Sequence, residues 1–295
     1  MKKILGIALI AVFGAALFFA CEKEESSNKS YDNQGKMFSY DGTTFHYDTK
    51  FINPFENIGQ KHNQLFSILA DNWKNFNNME YFNKDFLDFT VLNTYELFPN
   101  NDIESLMSTE DFSNLIIQQN NSCDGDLSYV EEMEKFFSQF PNDFYHEFIN
   151  DVEKFAYGDL SYEEQLALVS VIEQKVYHTK ISSEVKDYYL IFCSVAKYSL
   201  INIEKIAHDP SSPFYQLINN RLQGKGKLSG NGDIIFADAC GAVKGAQMGA
   251  EAGMAAGPEG AVILGAVGAV GVGALSSAVE GGINRKIIKW LDRIF

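Results

Sequence analysis

Residues 241–279 read GAVKGAQMGAEAGMAAGPEGAVILGAVGAVGVGALSSAV. Gly241, Gly245, Gly249, Gly253 and Gly257 fall at steps of four, and the interval continues through Ala261, Gly265, Ala269, Gly273 and Ser277. On a helix a step of four advances about 400°, so these residues form one slowly drifting stripe. A stripe without side chains lets a second helix backbone come close, and packing with weak Cα–H contacts then carries the association. Glycine inside a helix in water costs about 1 kcal/mol relative to alanine. The stretch therefore needs a close partner or an apolar medium. Gly257-Pro258-Glu259-Gly260 reads as a turn. The region 237–280 is thus expected to be a glycine-zipper hairpin of two helices, 237–256 and 261–279.

The two arms differ. Residues 261–279 carry no charge, and at about 1.5 Å per residue they reach roughly 28 Å, enough for a bilayer core. The first arm carries Lys244, Gln247 and Glu251 on the side away from the glycines, a polar face expected to meet water. Beyond Gly281-Gly282, residues 281–295 place Arg285, Lys286, Lys289 and Arg293 beside an apolar side, with Trp290 suited to lipid headgroups. They read as an interfacial amphipathic helix or as a terminal helix docked on the domain. The hairpin itself is read as membrane-inserting or self-assembling, as a close-packed hairpin buried against the domain, or as a low-complexity tail.

At the other end, Met1-Lys2-Lys3 precedes an apolar run, Ile4 to Ala20, followed by Cys21 and the acidic, serine-rich Glu22-Lys23-Glu24-Glu25-Ser26-Ser27. Residues 1–20 read as a secretory signal and 21–36 as a flexible tether. The alternative is an uncleaved anchor. Cys21 after a small residue resembles a bacterial lipobox, with Phe18 where leucine is usual. That resemblance implies acylation of Cys21, including palmitate. The acidic stretch resembles the signal that sends lipoproteins of Bacteroidota-type bacteria to the outer face of the outer membrane. Of the remaining Cys123, Cys193 and Cys240, at least one is unpaired, and Cys193 reads as a small buried hydrophobe.

Residues 37–222 read as a helical domain, joined by a linker, 223–236. Two aromatic runs flank Asp41-Gly42, the signature of a short β-hairpin. From Asn53, as cap before Pro54, the residues Phe55, Ile58, His62, Leu65, Leu69 and Trp73 follow helical spacing. Ser128-x-x-Glu131 and Ser161-x-x-Glu164 are capping boxes. Ser183 opens a helix whose stretch 188–203 is apolar on nearly all sides, as befits the middle of a bundle. The expected fold is all-α: a bundle of about six to eight helices with an N-terminal β-hairpin and the C-terminal glycine hairpin.

Catalytic motifs fail. His146-Glu147 has Asn150 where a zinc-protease helix needs its second histidine. Asp124, Asp126, Glu131 and Glu132 do not follow calcium-loop order, and a turn followed by a cap explains them. His62 reads as a core histidine in preference to a catalytic one. No metal, cofactor or catalytic residue is assigned, although a carboxylate pair set in space remains open. A formal charge of −15 opposes nucleic-acid binding.

Three stretches, Asn57-Ile58-Gly59-Gln60-Lys61-His62-Asn63, Ser194-Val195-Ala196-Lys197-Tyr198-Ser199 and Phe236-Ala237-Asp238-Ala239-Cys240-Gly241-Ala242, lie upstream of or lead into the Gly/Ala tail. Together they resemble a group of secreted and lipid-anchored proteins of Bacteroidota-type bacteria, a resemblance that brings no activity. The tail is similar in composition to glycine-zipper bacteriocins. The expected function is a surface lipoprotein whose helical domain presents or guards a membrane-interacting or self-associating hairpin. Its expected partners are membrane lipid and a second copy of the chain. The alternative is an envelope interaction or ligand-binding lipoprotein in which the hairpin is a packed structural subdomain.

Overall fold

The computed structural model describes residues 36–40, 43–48, 50–76, 84–99, 101–122, 128–140, 142–212, 214–216, 218–219 and 232–280. These residues are mostly helical, which places the chain in the all-α class. Strands β1 (Lys36–Tyr40) and β2 (Thr43–Tyr47) pair antiparallel with Phe38 opposite Phe45. Asp41 and Gly42 lie outside the described residues. So do residues 1–35, which hold the expected signal, Cys21 and the expected tether.

The described helices are α1 (Glu56–Phe76), α2 (Lys84–Glu96), α3 (Ile103–Leu106), α4 (Thr109–Ser122), α5 (Tyr129–Phe137), α6 (Phe144–Tyr157), α7 (Tyr162–His178), α8 (Ser183–Ala207), α9 (Gly232–Gly253) and α10 (Pro258–Glu280). α1 starts at Glu56, later than Pro54. Asn53 Oδ1 accepts the Phe55 N–H at 2.9 Å and the Asn53 carbonyl accepts the Glu56 N–H at 3.0 Å, so the chain turns once before the helix begins. Phe55, Ile58, His62, Leu65 and Leu69 are all buried along one face. Ser128 and Ser161 each accept the amide of the glutamate three residues on, and each glutamate accepts the serine amide in return at 2.7 Å. Both boxes satisfy helix-end donors that would otherwise be orphaned.

α8 is the inner helix. Every residue from 187 to 196 is buried, and α1, α7 and α9 pack around it. The aromatic residues fill this centre: Tyr189 stacks on Phe137 at 4.0 Å, and Phe148, Phe192 and Phe236 continue the contact chain. Full burial of each such ring contributes about 1.5–3 kcal/mol.

α9 and α10 run antiparallel against each other. The chain reverses through a 3-10 turn, Met254–Ala256, and through Gly257 at φ +91°. That left-handed backbone suits glycine, and Pro258 then occupies the first helical position, where its missing N–H is not needed. The first arm begins at Gly232, within the span read as linker. Ile234, Ile235 and Phe236 are buried there, and Phe236 stacks on Tyr157 at 5.4 Å. Burial of these three side chains is what carries the helix back across the expected boundary. α10 packs on α1, α2 and α3, while α9 packs on α8, α5 and α6. The hairpin therefore lies inside the bundle.

Candidate functional site

The two arms meet backbone to backbone. A Cβ on Gly245 would lie 2.1 Å from the Gly268 carbonyl oxygen, and one on Gly249 would lie 1.9 Å from that of Leu264. One on Gly253 would lie 2.2 Å from that of Gly260. On α9 the expected positions are thus in place, and Gly241 is buried. On α10 the expected glycines Gly265 and Gly273 lie beside α9, and the closest approach falls on their neighbours. The contact runs through 260, 264 and 268, whereas the spacing pointed to Gly265 and Gly273. Gly265 lies beside the contact, its amide nitrogen 3.1 Å from a Gly249 Cβ. Gly273 also lies against α9: an added Cβ would be 3.2 Å from the Asp238 carbonyl oxygen and from the Ala242 Cβ, and 3.1 Å from His62 of α1. Gly257 serves the turn and has nothing within 4 Å of an added Cβ. Several phases of α10 carry small residues.

On the polar face of α9 the expectation is corrected at Lys244. Lys244 is largely covered and donates to Glu132 of α5, so it meets the shell in place of water. Gln247 donates to Glu251 at 3.0 Å, and Glu251 is exposed. Arg285, Lys286, Lys289, Trp290 and Arg293 lie outside the described residues.

A second set of polar groups, missed in the sequence as a set, pins the hairpin from within. The Ser199 hydroxyl on α8 donates to Asp238 Oδ2 on α9. His62 Nε2 on α1 lies 3.7 Å from that same oxygen and has no hydrogen-bond partner. His62 Nδ1 lies 3.2 Å from Asn63 Oδ1. Burial pushes the imidazole down to about 4, so it is neutral at pH 7. Serine, aspartate and histidine meet here, but the carboxylate stands between the other two. Serine activation needs the imidazole in that place. The arrangement orients helices and leaves the hydroxyl without a base.

Further out on the α1–α8 seam, Lys197 pairs with Glu56 at 2.8 Å and Glu173 at 3.6 Å. Asn53 Nδ2 donates to Glu173 Oε1 at 2.8 Å, and the Tyr198 hydroxyl donates to Glu56 at 3.0 Å. Burial raises the Glu173 pKa, against the opposing pull of Lys197. Close approach of the helices is possible because Gly59 lacks a Cβ, which would sit 2.6 Å from the Ser194 carbonyl. The stretches 57–63, 194–199 and 236–242 therefore converge on one seam. The signal available in the sequence was a polar residue on an otherwise apolar face: His62, Ser199 and Asp238.

Lys197→Ala is expected to cost about 3 kcal/mol, because it leaves a buried carboxylate without its cation. Urea unfolding measures this. Lys197→Ala combined with Glu173→Gln should recover part of the loss, and equal stability of Lys197→Ala and the parent would contradict the pairing.

The rejected motifs have structural roles. Glu147 accepts from Lys175 at 2.9 Å. Glu131 belongs to its capping box and Glu132 to Lys244. Among the described residues no group of three or more His, Cys, Asp and Glu is placed to hold a metal ion. Cys193 and Cys240 are buried, and burial pushes the Cys193 thiol well above the usual range. Cys123 lies outside the described residues.

One described helix is long and apolar enough to cross a membrane: the window Pro258–Leu275 has mean hydropathy 1.6, and 78% of it is buried inside the bundle. Comparison with known proteins gives no match to a family model, a curated protein or a solved structure.

Proposed function

We propose that this chain is an envelope lipoprotein, tethered through acylated Cys21 at the outer membrane with its helical domain facing outward. In this reading the domain is an interaction or ligand-binding module, and the glycine hairpin is its packed core. The observation that carries it is the cover on both arms. Shell helices close over the outer faces of α9 and α10, and buried polar contacts at Asp238 and Lys244 tie α9 to α1, α8 and α5. A hairpin held this way contributes core area to a water-soluble fold, and its glycines serve close packing.

A second reading keeps the hairpin as a device for membrane insertion or self-assembly, released when the shell opens. Backbone-to-backbone packing favours it, since such contact does not depend on water. So does the tip, where Met254, Ala255, Ala256 and Pro258 are exposed. Arg285, Lys286, Lys289, Trp290 and Arg293 would then lie among anionic headgroups.

The test uses the lipid-free chain from residue 22 with vesicles containing anionic lipid. The packed-core reading expects a monomer in sedimentation, no dye release and a protease-resistant α9–α10. Dye release, or oligomers that Gly249→Leu abolishes, would overturn it in favour of the second reading.

A further inference from the structure

At one end of the bundle the outlet of β2, the last turn of α7 and the first turn of α8 share a surface. Gln174 of α7 fixes the outlet: its amide donates to the Asp48 carbonyl and its side-chain carbonyl accepts the Asp48 N–H, both at 2.9 Å. The chain then turns, with the Phe51 N–H on the Asp48 carbonyl at 3.2 Å and the Lys50 N–H on the Asp48 carboxylate at 2.8 Å. Phe51 packs edge-on against Tyr177 of α7 at 5.2 Å. Ile52 is 75% exposed, more than any other large hydrophobic side chain among the described residues, and Tyr177 is 41% exposed. Lys186 of α8 reaches back to Tyr177, donating to its carbonyl at 2.7 Å with the ammonium 5.7 Å from the ring centre. His178 and Lys180 are exposed beside it. Lys50, Lys180 and Lys186 share this surface with the exposed Asp48, whereas the whole chain has a formal charge of −15. The neighbouring Glu184 and Asp187 are buried, and Glu147 is paired with Lys175.

We propose that this surface, formed by Phe51, Ile52, Tyr177, Lys180 and Lys186, rests on the anionic bilayer in which the chain is anchored. An exposed aliphatic side chain, aromatic rings and lysines with flexible stems are the groups that suit a headgroup layer. Lysines near such a surface are drawn to its negative potential. The place of the surface in the chain points the same way. Fourteen residues, 22–35, separate Cys21 from β1, and β1 and β2 pack on α7. A coil of that length reaches about 20 Å and cannot exceed about 50 Å. The acyl anchor therefore holds this end of the bundle close to the bilayer. The inference rests on the tethered-lipoprotein reading and goes beyond it by naming the face that meets the lipid. It asks nothing of the glycine hairpin, which stays packed.

The experiment is hydrogen exchange of the acylated chain in vesicles containing phosphatidylglycerol, against the lipid-free chain from residue 22. Amides 50–52 and 179–182 should exchange about tenfold more slowly on the vesicles, as for a surface in contact about nine-tenths of the time. Vesicles of phosphatidylcholine alone should give a smaller slowing. Ile52→Ser combined with Lys180→Ala should return these amides to the lipid-free rate. Both side chains are exposed, so the variant should fold, which circular dichroism checks. Leu92→Ser, at an exposed apolar position of α2, should leave the slowing intact. Unchanged exchange at 50–52 and 179–182, slowing that survives the double variant, or equal slowing on phosphatidylcholine would overturn the proposal. So would slowing confined to 254–256 or 283–295, or slowing that the lipid-free chain shows at high concentration, which would assign the surface to a second copy. Mass spectrometry of the same preparation separates the two failures. A chain without an acyl group on Cys21 sinks the tethered reading and the proposal with it, whereas an acylated chain with unchanged exchange sinks only the surface.

Discussion

Gly249→Leu is expected to abolish the folded state. The new Cβ would lie 1.9 Å from the Leu264 carbonyl oxygen and 2.6 Å from its carbonyl carbon, both backbone atoms that cannot rotate away. Relief requires the two helices to separate, which would break the matching contacts at Gly245 with Gly268 and Gly253 with Gly260. Overpacking a core costs about 1–3 kcal/mol where side chains can yield. Here only backbone can move, and the loss should exceed about 4 kcal/mol, a large share of a domain's stability. Even Gly249→Ala should cost about 2 kcal/mol or more for the same reason. Gly257→Ala is the contrast. An added Cβ there meets nothing within 4 Å, and its penalty is the φ of +91° alone, about 1–2 kcal/mol. Urea denaturation of the three variants would show this order. Near-equal losses at 249 and 257 would mean that the arms do not touch as described.

The second large effect is on pH dependence. Asp187 and Glu184 have folded pKa values near 8 and 7, raised chiefly by burial. In the unfolded chain both return to ordinary carboxylate values near 4. Their protonated forms are the ones the fold tolerates, so stability is fully present below about pH 4 and is lost as pH rises through 7 and 8. His62 works in the opposite direction. Its folded pKa of about 4 lies below the ordinary 6.5, so stability is lost as pH falls from 6.5 towards 4. The imidazole contributes about 3 kcal/mol across that window at about 1.4 kcal/mol per unit. Asp187 alone contributes on the order of 3–5 kcal/mol between pH 8 and 4, and Glu184 adds to it. The carboxyls win, and the urea midpoint should rise on acidification from about pH 8.5 to about pH 5. Asp187→Asn should flatten the profile. The Glu184→Gln, Asp187→Asn double variant should invert it below pH 6.5, leaving the His62 dependence exposed. A parent profile already falling on acidification would show that the two acids are better solvated than described.

The helical class was legible because local signals suffice for it. The Phe55, Ile58, Leu65 and Leu69 spacing marks a buried face, and Ser128 with Glu131 marks a helix start three residues apart. The all-round apolar character of α8 likewise announced an inner helix. The point of closest approach on α10 was not legible. Gly260, Gly265, Gly268, Gly271 and Gly273 offer several nearly equivalent small faces, and spacing alone does not choose among them. The inner seam was hidden for another reason. His62, Ser199 and Asp238 lie far apart in the chain, and each taken singly is an ordinary polar residue on a helix. The Lys244 face was misread because amphipathicity gives a polar side without saying whether water or a glutamate of another helix meets it. Covered by Glu132, the same side becomes a clasp.

The central claim is that the glycine hairpin is the packed core of this bundle, and hydrogen exchange of the full chain from residue 22, with and without anionic vesicles, tests it most directly. The packed arrangement predicts that the amides of α9 and α10 are among the slowest to exchange and stay so when vesicles are added. Fast exchange in these two helices while α8 remains protected, or protection that appears only with lipid, would contradict it.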